Sequence, residues 1–303
     1  MAHHCGMTKP GPLPQSLPLP AFSSREALES GATKGRLRAS DLSSPFHGIR
    51  ATREAVSVEE RCRQYLPRLR AGQFFSHSTA AILLAIPLPH RIETDARLHI
   101  SDRLSRPRTA RVVGHRALDT PVATIRGLPI TRPEWLLLEL ASLLPLDDLI
   151  IAGDGLVRRK RPPTTLHQLG QLASDLDRRG IRRVRSALQE VRSGTDSPME
   201  TRLRILICRA GLPEPIIGHT IRDGNGDFIG TPDLSYVEQR IAIEYEGSGH
   251  RDDPRIFAGD ILRRELMQEA GWYVIRVISD HVFLSPQWLV SRIARILAQR
   301  TAS

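Results

Sequence analysis

The stretches Thr231-Pro-Asp-Leu-Ser and Ile241-Ala-Ile-Glu-Tyr-Glu-Gly decide the fold. They read as two strands joined by a turn, with Asp233, Glu244 and Glu246 projecting from them. Side chains alternate across a strand, so Glu244 and Glu246 share one face while Ile241, Ile243 and Tyr245 line the other and enter a core. Two carboxylates on one face of so apolar a run repel each other unless something offsets their charge. A divalent cation does so, because hard ions take clustered oxygen ligands. The pattern predicts a metal-dependent site and points to phosphodiester chemistry.

The neighbouring segments extend this to a domain. Ser197-Pro-Met-Glu opens a helix with Ser197 as N-cap, Pro198 as first helical residue and Glu200 third, the capping-box arrangement. Leu203, Leu206 and Ile207 form its apolar stripe, and Gly211 ends it. Strands are expected over 216–222, 228–236 and 240–246, with a turn at Asp223-Gly-Asn-Gly-Asp. A polar loop, Gly247-Ser-Gly-His-Arg-Asp-Asp-Pro, leads to a helix over 256–270. A strand from Trp272 and a last helix over 286–299 follow. A mixed sheet flanked by helices is an α/β sandwich. Asp260 and Arg263 read as an intrahelical pair, and Trp272 as core.

Upstream, residues 1–20 hold five prolines and read as a disordered leader. In residues 21–56, Ser23 or Ser24 caps a short helix, Gly31 turns, and Thr33 caps a second helix carrying Lys34, Arg36 and Arg38. Phe46-His-Gly-Ile-Arg-Ala then forms a strand. That order fits a winged helix-turn-helix, and equally a helical hairpin with a solvated basic face. Residues 57–194 read as a mostly helical α+β region. Leu98-His-Ile and Ala110-Arg-Val-Val-Gly-His alternate outward polar with inward apolar residues. Trp135-Leu-Leu-Leu-Glu-Leu-Ala and 146–156 are buried helices, and Asp154 reads as a paired or capping acid. The run from Arg178 to Leu188 puts Ile181, Val184 and Leu188 on one stripe. Its arginines, Arg182 and Arg183 among them, form a solvated face or one that lies on phosphates. Ser193-Gly-Thr-Asp-Ser-Pro marks the junction to a domain over 195–303.

The chain has 303 residues, 40% of them hydrophobic, which suffices for more than one core. No apolar run reaches the ~18 residues of a membrane span, and the first residues lack the apolar centre of a signal peptide. Cys5, Cys62 and Cys208 are odd in number and scattered, which fits a reducing cytoplasm. Net charge is +10 and favours a polyanion. From residue 195 on there are 13 Arg, no Lys and 15 acids, leaving net +12 in the first 194 residues. A basic part that grips double-stranded DNA and an acidic part that holds a cation fit this split. With 40 Arg against three Lys, compositional bias explains part of the excess.

Glu200, Pro232-Asp233 and Glu244-Tyr-Glu246 together resemble the PD-(D/E)XK nuclease superfamily. The phrases Ser197-Pro-Met-Glu-Thr-Arg-Leu-Arg, Ala210-Gly-Leu-Pro, Pro232-Asp-Leu, Ala242-Ile-Glu-Tyr-Glu-Gly, His250, Asp260-Ile-Leu-Arg263 and Ala270-Gly-Trp resemble its very-short-patch-repair-like endonuclease domains. The region before residue 195 more loosely resembles AbiEi-type antitoxin domains. The resemblance implies a restriction-endonuclease-like fold and Mg²⁺ (or Mn²⁺) bound by Asp233 and Glu244. Glu200 and Glu246 complete the acidic set, His250 protonates the leaving oxygen or orders a water, and Arg263 or Arg264 contacts the phosphate. Glu246 stands where the superfamily usually has a lysine. The expected function is a DNA endonuclease that nicks as a monomer and breaks both strands as a homodimer. The other reading is a DNA-binding regulator whose nuclease fold no longer cuts.

Overall fold

A computed structural model describes residues 10–247 and 254–302, without the side chains of 254–258 and 260. The chain divides into two compact units, Met1–Leu140 and Ala141–Ser303. The junction read at 193–198 lies inside the second of them. Both are mixed α/β, and no helix among the described residues is long and apolar enough to cross a membrane.

The first unit begins with β1 (Ala21–Ser23), α1 (Ser24–Glu29) and β2 (Ile49–Ala51). Strands β1 and β2 pair antiparallel. Ser23 caps α1 by accepting the Glu26 N–H at 3.0 Å. Leu13 and Leu17 pack with Phe22, Ala27 and Leu37, so the stretch from Leu13, expected as leader, contributes to a small core. The expected basic helix after Gly31 is a single 3₁₀ turn, Arg36–Arg38. Arg36 is held there by a two-pronged contact with Asp41, at 2.9 and 2.8 Å.

Next come α2 (Val58–Tyr65), β3 (Gln73–Phe75), α3 (His77–Leu83), α4 (His90–Glu93), β4 (Leu98–Asp102), β5 (Val112–Arg116), β6 (Val122–Ile125), β7 (Leu128–Thr131) and α5 (Pro133–Leu140). Five of these form one sheet, in the order β5-β4-β3-β7-β6. A sheet, rather than helices, therefore organises this unit up to residue 131. Helix α3 lies on β4 and α5 on α3. All five residues of β4 are buried, so His99 does not face solvent as the alternation suggested. Both faces of that strand are covered, which erases the outward side.

The second unit opens with four helices: α6 (Leu146–Leu156), α7 (Leu166–Asp175), α8 (Ile181–Glu190) and α9 (Pro198–Arg209). Helix α6 packs on α8 and α9. Gly153 permits this close approach, since a Cβ there would stand 2.5 Å from Val191 Cγ2. Asp154 is fully buried. It accepts from the Arg192 N–H at 2.7 Å, Thr201 Oγ1 at 2.8 Å and Arg204 at 2.9 Å. It is a paired structural acid, and the partner is the equally buried Arg204 guanidinium.

The strands follow as β8 (Ile216–Ile217), β9 (Ile221–Arg222), β10 (Phe228–Gly230), β11 (Leu234–Tyr236) and β12 (Ile241–Glu246). Then come α10 (Pro254–Glu269), β13 (Tyr273–Ile278), α11 (Ser279–Phe283) and α12 (Pro286–Thr301). The main sheet has the order β13-β12-β11-β8, and β9 and β10 pair separately. Two expected long strands are thus each split. Gly218, at φ +63°, breaks the first. Pro232, which has no N–H for a ladder, separates β10 from β11. Strands β12 and β13 run parallel, which requires a crossover, and α10 supplies it.

One sheet face packs Ile241, Ile243, Ile275 and Val277 against Leu203 and Ile207 of α9 and Leu289, Ile293 and Ile296 of α12. The other buries Ala242 and Trp272 with Met267 of α10. Helices cover both faces. The alternation read along β12 holds: Tyr245 packs with the isoleucines, and Glu244 and Glu246 lie on the Ala242 side.

Candidate functional site

The acids converge because three local structures deliver them. Ser197 accepts the Glu200 N–H at 3.2 Å and starts α9 with Glu200 in its first turn. The Glu200 carboxylate reaches back to the Asp196 N–H at 3.0 Å, one residue before the position a capping box would use. Asp233 ends the Pro232 break and immediately precedes β11. Leu234 pairs with Ile243 across the antiparallel ladder, so the next step outward brings Asp233 to Glu244. Asp233 Oδ2 accepts the Tyr245 N–H at 2.7 Å, and its carbonyl accepts the Gly218 N–H at 3.2 Å. The acid is thereby fixed at main chain on both sides.

Electrostatics set these acids apart from a solvated cluster. Burial, then the charge of Glu200 and that of Glu244, push the Asp233 carboxyl up to about 7, against the lowering pull of the Tyr245 N–H and Arg263. Burial also raises the Glu200 carboxyl, in spite of the N–H bonds that favour its ionised form. Glu244 is only 7% exposed and meets Arg263 Nη1 at 2.9 Å. Gly230 makes room for that arginine, since a Cβ at 230 would stand 2.9 Å from Arg263 Cδ. Glu246 is gripped by Arg276 of β13 through both carboxylate oxygens, with Arg264 at 3.9 Å.

Of the residues singled out in the sequence, Glu200, Asp233 and Glu244 share one buried region with Arg263. Glu246 sits beside them in a two-arginine clasp. His250 lies outside the described residues. Lys34 and Arg38 are exposed in the first unit, and Arg36 is committed to Asp41. Arg182 and Arg183 are exposed on α8, whose other side buries Ile181, Val184 and Ala187. All-oxygen donors, with the Asp233 carboxyl raised by burial and by the charges of Glu200 and Glu244, suit a hard divalent ion, and Asp233 and Glu244 are the residues that would hold it.

Two groupings escaped the sequence reading. His77, His99 and His115 come together in the first unit, with one nitrogen of each within 4.8 Å of the others. In the acidic cluster, by contrast, Glu244 and Glu246 are drawn to arginines. One histidine in each of the alternating runs that become β4 and β5 was the only sequence signal of the histidine group. The second is a cavity of about 570 Å³ in the same unit, lined by Arg68, Arg70, Arg106, Arg108 and Arg116 and, among the described residues, by no carboxylate. Arginines spread over 50 residues carry no local signature.

No family model matches the chain. The uncharacterized protein Rv2248 of Mycobacterium tuberculosis strain H37Rv is 28% identical over 236 residues, 77% of this chain and 86% of that one. The uncharacterized protein MT2308 of the CDC 1551 / Oshkosh strain matches to the same extent. Among solved structures, the RV2827C protein of M. tuberculosis aligns with a TM-score of 0.40 at 17% identity, over 67% of this chain and 83% of that one. Function therefore rests on the chemistry of the site.

Proposed function

We propose that this protein is a metal-dependent endonuclease that hydrolyses phosphodiester bonds in DNA, with Asp233 and Glu244 as ligands of Mg²⁺ or Mn²⁺. The observation that carries this reading is the Asp233 carboxyl, pushed up to about 7 among Glu200 and Glu244. A cluster that resists ionisation without a cation becomes a strong ligand set with one. The bound ion supplies a polarised phosphate and a water of lowered pKa. The Tyr245 N–H keeps Asp233 aimed. Arg263 neutralises Glu244 in the ion's absence and would turn its planar donors to a phosphate when Glu244 takes the cation. Arg276, across the ladder from Glu244, offsets the negative charge that Glu246 places where the resemblance expects a lysine. The arginine-lined cavity of the first unit supports a polyanionic partner.

A second reading is a DNA-binding regulator with an inactive nuclease fold. The ion pairs Arg263–Glu244 and Arg276–Glu246 favour it, because they balance the acids without any metal. Glu244→Gln separates the two. For an endonuclease, the variant loses Mg²⁺-dependent cutting of a labelled duplex and keeps salt-sensitive binding. Wild-type protein that binds the duplex and never cuts it with Mg²⁺ or Mn²⁺ establishes the regulator.

A further inference from the structure

We propose that His77, His99 and His115 bind one transition-metal ion of the zinc type in the first unit, at a site separate from the acids of the second. The sheet builds the site. In the parallel ladder of β4 and β5, His99 pairs with Val113 and Ser101 with His115. The two histidines are thus diagonal neighbours on one face. Their Nδ1 (His99) and Nε2 (His115) atoms lie 3.0 Å apart. Two ligands of one tetrahedral Zn²⁺ at about 2.0–2.1 Å each stand about 3.3 Å apart, so the spacing of these two nitrogens is within a few tenths of an ångström of that of a bound pair.

His77 comes from the other direction. Its preceding residue, Ser76, donates its N–H to the His99 carbonyl at 3.0 Å, which ties the start of α3 to β4. Glu139 of α5 then fixes the histidine. Its Oε2 accepts the His77 N–H at 2.8 Å and lies 3.6 Å from His77 Nδ1. Thr131 Oγ1 donates to the same carboxylate. His77 Nδ1 also meets Ser76 Oγ at 3.1 Å, and Ser76 Oγ accepts from Ser101 at 2.8 Å. With Nδ1 turned to the serine and carboxylate, Nε2 is left as the ligand atom. The Ser76 hydroxyl on Nδ1, with the Glu139 carboxyl behind it, is the kind of outer partner that orients a ligating histidine.

Two further features belong to a site rather than to ordinary packing. His77 holds a left-handed backbone, φ +50°, as do five other non-glycine residues among those described, and here it aims the ring at β4 and β5. His77 and His99 are 9% and 6% exposed, and burial favours the neutral imidazole that metals require. Three imidazoles without an oxygen ligand suit zinc, cobalt, nickel or copper rather than magnesium or calcium. His115 is only half-buried, so the fourth position opens toward solvent. The His77 and His115 rings stack at 3.6 Å with their in-plane lone pairs nearly parallel, so binding requires the half-buried His115 ring to turn about its Cβ–Cγ bond until the lone pairs converge.

The test uses tag-free, full-length protein stripped with a chelator and titrated with Co²⁺. Zn²⁺ is then run in competition with a chromophoric chelator. The expected result is one equivalent of Co²⁺ with visible d–d absorption, displaced by Zn²⁺, and a melting temperature raised by Zn²⁺. His99→Ala and His115→Gln each weaken binding at least 100-fold, and Glu139→Gln weakens it about 10–100-fold. Circular dichroism and thermal melts show that the variants fold. His115→Gln, at the half-buried position, keeps the test valid if His99→Ala does not fold. A wild type that takes up no more Co²⁺ or Zn²⁺ than His115→Gln overturns the proposal. So does binding that vanishes when His3 and His4 are replaced instead. DNA cleavage is not read, so the outcome is independent of the nuclease assignment.

Discussion

Asp233→Asn isolates the electrostatic account of the acidic site. Asparagine keeps an acceptor for the Tyr245 N–H and removes the charge. The Asp233 pKa rises from an ordinary 3.8 to about 7 on folding. Below pH 4 the carboxyl is protonated in both folded and unfolded chains, and the residue carries no penalty. Between about 4 and 7 the unfolded chain releases its proton while the folded chain retains it, so stability falls as pH rises. Above 7 both are ionised and the full cost is present. At about 1.4 kcal/mol per pH unit, the upper limit is about 4 kcal/mol. The variant should therefore match the wild type near pH 4 and exceed it by up to that amount at pH 8, in urea unfolding monitored by circular dichroism. A cation bound by Asp233 works the other way. At 100 times its dissociation constant it restores about 2.7 kcal/mol to the wild type and nothing to the variant. A difference between variant and wild type that is equal at pH 4 and pH 8, or that shrinks as pH rises, refutes the reasoning.

Two further outcomes follow from the packing and the charge. Asp154→Ala leaves the buried Arg204 guanidinium with the half-exposed Glu214 as its remaining ion-pair partner, and removing one partner of such a buried pair costs up to about 3–5 kcal/mol, read as a lower urea midpoint. Arg70→Ala with Arg108→Ala removes two cations from the cavity of the first unit. It should weaken DNA binding and make the log–log salt slope shallower by up to about 2; an unchanged slope takes these arginines off the nucleic-acid surface.

How much was legible in the sequence follows from which forces are local. The period-two run Ile241–Glu246 encodes its own strand and both of its faces, because alternation is a property of the backbone. Ser197 and Pro198 encode the start of α9 for the same reason, as does the apolar run of α6. The breaks at Gly218 and Pro232 turn on how two short strands find separate partners, which no local pattern records. The clasp of Glu246 by Arg276 joins residues 30 apart on parallel strands, and the histidine cluster needs β4 beside β5 under the start of α3. In each of these the deciding contact is long-range.

The most direct test of the endonuclease assignment is the conversion of supercoiled plasmid by purified protein in Mg²⁺ or Mn²⁺, run beside EDTA and Asp233→Ala. The predicted result is nicked or linear DNA with the wild type and metal, and intact supercoils in both controls, with the variant folded by circular dichroism. Cutting by Asp233→Ala at the wild-type rate, or cutting that persists in EDTA, would contradict the site. Salt-sensitive binding with no cutting in either metal would contradict the nuclease.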